Sequence, residues 1–462
     1  MELTNNFIIV KNLGIHLGFL WAVLFGAILN FSLSGLFNKM TQKFSNFISI
    51  ATLFIALIFI APIALGFLNS HSLNDLFYFD EKLILNGKNS LYCFIFTLSA
   101  FLTFLTNLKF SKRFRHKLQY FNSLYLISTL CGNFTILAND FLTFALSLEA
   151  FCICTLFIIF GKKDRNSSLN SIKFLFVSLI SCAFLILSFA VLNNFNVQNI
   201  LLNSISQGVF IFALILKSGY LIFSLKQFEN FKDNFSAFSF INLQYFTLFA
   251  LVLAQKIQIL TNSDLQTFFI IFFALSALIS TLKATRAKEY QKLFYFLNCY
   301  NFCFVLLICT TSINSGTALI LSILLLNVAL TNAFAIFNYN EPHKYNLTDF
   351  CGAYFKNQFF SLVFAICLYV YGGILPSFAI TTKIYTLGEF TRNGTAIGFS
   401  LFCTIISTCL VLLIMLNFAS SLFKKPNHSQ LIQKSALKKR TKLNYFVLFL
   451  SLIVLIIFTK IQ

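Results

Sequence analysis

Apolar runs of about 20 residues, the length a helix needs to cross roughly 30 Å of hydrocarbon, recur along the chain between short polar connectors. Fourteen are predicted, at about 17–36, 47–69, 89–107, 119–138, 140–160, 169–191, 206–228, 238–256, 265–283, 290–310, 316–337, 358–388, 396–420 and 443–460. Each is a continuous run. The strands of a membrane barrel would alternate apolar and polar positions instead. The predicted fold class is therefore an all-α polytopic membrane protein with about 14 transmembrane helices.

Two spans break the pattern. Residues 358–388 are too long for one straight crossing and are interrupted by Gly372-Gly373-Ile374-Leu375-Pro376, with Lys383 in the second half. Residues 206–228 carry Lys217-Ser218-Gly219 at their centre, and Ser and Gly are weak helix formers. These are the seventh and twelfth spans, five apart, and a five-helix unit inverts each time it recurs. Interrupted helices at matching positions of two inverted repeats point to a transport site. The expected organisation is a three-helix segment over 1–118, one five-helix repeat over 119–256, a second over 257–420, and a basic loop with the last helix over 421–462.

Composition narrows the class further. Of 462 residues, 58% are hydrophobic and 10% charged, and the mean hydropathy is +0.82, far beyond what a soluble core could bury. The net charge of +20 is mainly a topology signal. Of the 34 lysines and arginines, 25 fall in odd-numbered connectors and six in even-numbered ones and the termini, so odd connectors are expected in the cytoplasm and both termini outside. The cluster from Lys434 to Lys442 then reads as a loop touching anionic lipid rather than a nucleic-acid site. No two of the 12 cysteines stand in Cys-x-x-Cys spacing, and almost all lie inside apolar runs, where they act as small hydrophobes. The five histidines sit at ends and in connectors, away from where axial haem ligands would be needed. The N-terminal stretch does not read as a removable signal.

Three charges inside the spans carry the candidate chemistry. Glu149 lies nine residues past Asp140, roughly 13 Å along its helix and near the bilayer midplane. A charge there costs about 3 kcal/mol or more, so Glu149 is expected to have a function. Lys217 and Lys383 each sit at an interrupted helix. Lys173 lies a turn inside its span, where snorkelling to the interface competes with a role in transport. Asp140 reads as the N-cap of the fifth helix and Lys292 as a boundary charge. A buried acid and amine favour their charged forms when paired and their neutral forms when separated, which makes such a pair a proton switch.

These residues resemble those of a known family. Ala138-Asn139-Asp140-Phe-Leu-Thr with Ser147-Leu148-Glu149 looks like the fourth-to-fifth helix of the antiporter-like membrane subunits of respiratory complex I, the NADH:quinone oxidoreductase. Ser171-Ile172-Lys173-Phe174-Leu175 resembles the start of their sixth helix, Leu216-Lys217-Ser218-Gly219 their broken seventh, and Glu289-Tyr290-Gln291-Lys292-Leu293 the entry to their tenth. Gly373-Ile374-Leu375-Pro376-Ser377-Phe378-Ala379-Ile380-Thr381-Thr382-Lys383-Ile384-Tyr385 is similar to the broken twelfth. With fourteen spans and no long lateral helix, the chain is most similar to subunit N. It departs from the family at Ile222, Ser224, Leu375, Ala379 and Thr382, and at Gln244 and Asn301, where the family carries a lysine and a histidine.

The resemblance implies a proton relay through Glu149 paired with Lys217 and on to Lys383 at the exit side, with Lys173, Gln244 and Asn301 as further candidate relay groups. It implies a non-redox subunit of a translocase. No cofactor or metal is expected on this chain, while quinone, flavin and iron–sulfur centres belong to other subunits. The implied partners are the other membrane-arm subunits and the lipid bilayer, with no nucleic acid, in a bacterial inner membrane. A Mrp-like cation/proton antiporter subunit or the membrane subunit of a related hydrogenase is the alternative.

Overall fold

The computed structural model describes residues 17–36, 41–70, 76–108, 121–161, 165–194, 200–220, 235–260, 263–311, 313–340, 346–374, 383–384 and 395–424. Thirteen helices within these residues fall on the first thirteen predicted spans. They are α1 (Gly18–Leu36), α2 (Thr41–Ser70), α3 (Gly87–Asn107), α4 (Phe121–Leu137), α5 (Phe141–Phe160), α6 (Arg165–Asn194) and α7 (Ile200–Ser218). Then follow α8 (Phe235–Lys256), α9 (Ser263–Thr285), α10 (Tyr290–Thr311), α11 (Ile313–Asn340), α12 (Gln358–Gly372) and α13 (Thr395–Phe423). The predicted span 443–460 and most of the second halves of the seventh and twelfth spans lie outside the described residues. The chain is a multi-pass helical membrane protein.

Residues Met1–Leu175 form one compact unit, in which α1 packs on α2 and α4, α2 on α3, and α4 on α3 and α5. Its helices are pinned by a buried amide–hydroxyl cluster. Asn30 Nδ2 donates to Ser49 Oγ at 3.0 Å, Ser45 Oγ to Asn30 Oδ1 at 2.8 Å, and Asn122 Nδ2 to Ser45 Oγ at 2.8 Å. Between α2 and α3 stands a two-stranded hairpin that the sequence pattern did not announce, β1 (Leu76–Tyr78) and β2 (Leu83–Leu85). It is tied to the start of α5 by Asn139, whose N–H donates to the Lys82 carbonyl at 2.9 Å and whose side chain donates to the Glu81 carbonyl at 2.8 Å.

Residues Phe176–Gln462 form the second unit. Here α8 is enclosed by α7, α10 and α11, while α9 packs on α10 and α13 and α12 packs on α13. The apolar windows of α8, α10 and α11 are 100%, 89% and 94% buried, against 33% for α13, whose Phe399, Phe402 and Leu413 face outward. Buried spans have no lipid to satisfy, so they can hold polar side chains wherever a neighbour accepts the hydrogen bond. The polar groups that matter lie on these enclosed helices.

Candidate functional site

α5 starts as the sequence suggests. The Asp140 side chain accepts from the Thr143 N–H at 3.4 Å and satisfies one of the open donors at the helix N-terminus. Nine residues on, Glu149 is half-buried, next to the fully buried Leu148.

α7 ends one residue after Lys217. Gly219 adopts φ 68°, the left-handed backbone that glycine tolerates without strain, and its N–H donates to the Leu216 carbonyl at 3.2 Å. Stopping a helix inside a membrane leaves carbonyls that water cannot reach. Tyrosines take them up. Tyr245 Oη donates to the Lys217 carbonyl and Tyr295 Oη to the Gly219 carbonyl, each at 2.6 Å. Lys217 itself is only 2% exposed.

A π-helical turn at Ile241–Tyr245 interrupts α8, and the Ile241 carbonyl accepts from the Phe246 N–H five residues on. The Tyr220 hydroxyl, from just past the α7 break, donates to the Ile241 carbonyl at 2.6 Å. Asn298 Nδ2 on α10 donates to Asn242 Oδ1 at 2.7 Å, and Asn327 Nδ2 on α11 reaches the Asn242 carbonyl at 3.4 Å. Gln244 sits on the same turn, fully buried, and among the described residues neither end of its amide has a hydrogen-bond partner.

The second break follows α12. Gly373 at φ 94° closes the helix on itself, with its N–H donating to the Tyr369 carbonyl at 3.1 Å and the Ile374 N–H to the same carbonyl at 3.0 Å. Beside it is a cavity of about 180 Å³ lined by Tyr300, Asn301, Tyr371, Gly373 and Lys383 among others. That volume holds several waters at about 30 Å³ each. Lys383 Nζ donates to Tyr300 Oη at 3.3 Å and lies 4.7 Å from the centre of the Tyr300 ring and 5.1 Å from that of Phe304, a cation–π seat. Asn301 Nδ2 donates to Tyr371 Oη.

One helix therefore serves both breaks. Tyr295, Asn298, Tyr300 and Asn301 follow one another along α10, and the seven residues from Tyr295 to Asn301 span roughly 9 Å. The structure brings Asn301 and Lys383 to one cavity and joins the Lys217 carbonyl, through Tyr245, to the α8 turn that carries Gln244. It leaves Lys173 exposed on α6. Lys292 forms an ion pair with Glu289 at 3.5 Å. Sequence reasoning passed over Tyr245, Tyr295, Tyr300, Tyr371, Asn242 and Asn298. The asparagines were detectable as amides inside apolar spans; the tyrosines read as aromatic bulk.

Comparison with known proteins follows the same lines. Residues 138–411, more than half the chain, match the family model described as NADH:quinone oxidoreductase/Mrp antiporter, TM. The chain belongs to this family of antiporter-like membrane proteins. Its fold is similar to a chain of respiratory complex I from Thermus thermophilus with bound aureothin, at TM-score 0.76 and 14% identity over 95% of this chain and 96% of that one. It is also similar to a chain of the membrane-bound sulfane sulfur reductase, an archaeal respiratory membrane complex, at TM-score 0.81 and 12% identity over 96% and 93% of the two chains. No curated protein matches the sequence.

Proposed function

We propose that this chain is a proton-translocating membrane-arm subunit of an NADH:quinone oxidoreductase, in the position of subunit N, with no redox centre of its own. The observation that carries the reading is the pair of interrupted helices, each with a lysine beside it and both served by the polar face of α10. In this reading Glu149 and Lys217 are the two switching charges of the relay. Protons then pass the amides and tyrosines of α8 and α10 and leave through Lys383. Gln244 and Asn301 cannot titrate, so the middle of the path runs through water held by these groups. The cavity at Lys383 gives such water room at the exit. Energy for the switch comes from quinone reduction elsewhere in the assembly.

The test is proton pumping in vesicles carrying the purified assembly. Glu149→Gln keeps the shape of the side chain and removes its charge, so the assembly should form and acidification should fall to a small fraction of wild type. Acidification at the wild-type rate would refute the relay. The same family model covers cation/proton antiporters. Acidification driven by a Na⁺ gradient, in a preparation with no iron–sulfur subunits, would assign the chain to that branch. Orientation is tested separately: the basic residues place Asn427 in the cytoplasm, so Asn427→Cys should react with an impermeant maleimide only from that side.

A further inference from the structure

All 12 cysteines carry free thiols. Two of them meet within the Met1–Leu175 unit, where Cys131 on α4 and Cys154 on α5 hydrogen-bond thiol to thiol. The joint between the two helices explains the meeting. Asp140 is extended at φ −88° and ψ 155°, and Ala138 is bridged to Leu83 of β2, so the three residues 138–140 run out about 10 Å. α4 climbs about 9 Å from Cys131 to Leu137 before that joint, and α5 descends about 20 Å from Phe141 to Cys154 after it, so the two sulfurs arrive level. Asn139, held at the Lys82 and Glu81 carbonyls, fixes this register.

Packed cysteines commonly serve as small hydrophobes, and this pair differs in contact and in access. Hydrogen-bonded sulfurs need only close to about 2.05 Å to form a disulfide. α4 is buried except along Leu124, Ile127, Leu130, Cys131 and Phe134, which share one face and are half-buried, while Cys154 is buried. One thiol of the pair is therefore open to approach from outside the helix bundle. Cys152, two residues before Cys154, lies about 200° around α5 and is buried as well.

The surroundings select the reagent. Cys154 lies about 9 Å inside the Phe160 end of α5 and about 20 Å from its start, within the apolar part of a span. Thiols buried there are inert toward aqueous reagents, and charged peptide thiolates do not enter hydrocarbon. An oxidant of this pair must dissolve in the bilayer and accept two electrons, which is the chemistry of a lipid-soluble quinone.

We propose that Cys131 and Cys154 form a disulfide when a lipid-soluble quinone oxidises them, locking α5 and its Glu149 to α4. Two S–H bonds break and one S–S bond forms, and both electrons and both protons pass to the quinone oxygens, giving the hydroquinone. Glu149 stands five residues before Cys154, about 7.5 Å along the same helix, so the bond restrains the helix of the proposed switch. The bond itself is independent of the relay reading, and its effect on pumping rests on it.

The full assembly in vesicles would be treated with tetramethylbenzoquinone, whose ring has no open carbon for thiol addition, and then freed of it. Peptide mass spectrometry should find Cys131 and Cys154 joined, with two hydrogens lost, in wild type and in Cys152→Ser but not in Cys131→Ser. Acidification should fall in the cross-linked wild type, recover with dithiothreitol, and stay unchanged in treated Cys131→Ser. No cross-link, or one to Cys152 instead, would overturn the site. A complete cross-link with acidification at the untreated rate would overturn the lock. If Glu149→Gln pumped at the wild-type rate, the relay reading would fail while the cross-link result stood.

Discussion

At the end of α7, the carbonyls left by the break are taken up by hydroxyls from other helices, Tyr245 onto Lys217 and Tyr295 onto Gly219. At the end of α12, the open Tyr369 carbonyl is taken up by the chain's own next residues, Gly373 and Ile374. The first break is thus a product of tertiary packing, held from α8 and α10. The second is a local motif that a short peptide stretch can form alone. The lysines follow suit: Lys217 is enclosed, while Lys383 borders a cavity of about 180 Å³. A joint held by neighbours transmits their movement, and a self-closed one stays put. In the proposed switch the α7 end is therefore the one to test for movement, with the self-closed α12 end as the reference.

Lys217→Ala should separate the two ends most. It empties a side-chain site only 2% exposed and should cost about 2–5 kcal/mol. Lys383→Ala, facing room for water, should lower pumping with little change in thermal unfolding. Equal melting shifts in one detergent would break the asymmetry. Next comes Tyr295→Phe, which strands the Gly219 carbonyl and should cost about 1–3 kcal/mol, seen in the same melting assay. Gly219→Ala should cost about 1–2 kcal/mol, because an added Cβ is strained at φ 68°. The smallest effect is expected at the second break. Tyr371→Phe removes the acceptor of Asn301, but the adjoining cavity offers water in its place, so the loss should stay under about 1 kcal/mol. A loss there as large as that of Tyr295→Phe would mean that the cavity is dry.

Much of this was legible in the sequence because a bilayer demands long apolar runs, and the runs fix where helices can be. Gly372-Gly373 and Ser218-Gly219 marked both breaks, since few other residues end a helix so readily. The hairpin was not legible. Its turn passes through Phe79, Asp80 and Glu81 at φ 55°, 56° and 65°, without the glycine or asparagine that normally signals a hairpin turn. Nor was the role of the tyrosines. A phenol inside an apolar span contributes hydrophobic area wherever it lies, and only the fold shows which hydroxyl meets an open carbonyl. Gln244 was found through its place in the family pattern; its complete enclosure was not foreseeable from a helix that looks like any other span.

That enclosure of α8 has a consequence for how the protein is made. Helices enter a membrane in the order they are synthesised, and α8 precedes α10 and α11, two of the three helices that surround it. When α8 first arrives, the amides of Asn242 and Gln244 meet lipid. They stay there until the remaining about eighty residues up to the end of α11 are translated, roughly 4–16 s at about 5–20 residues per second. The buried polar core is thus a late product of biogenesis. During that interval the half-made chain offers the membrane's quality-control machinery a helix with exposed amides, so slowed translation beyond Lys256 should reduce the yield of folded protein.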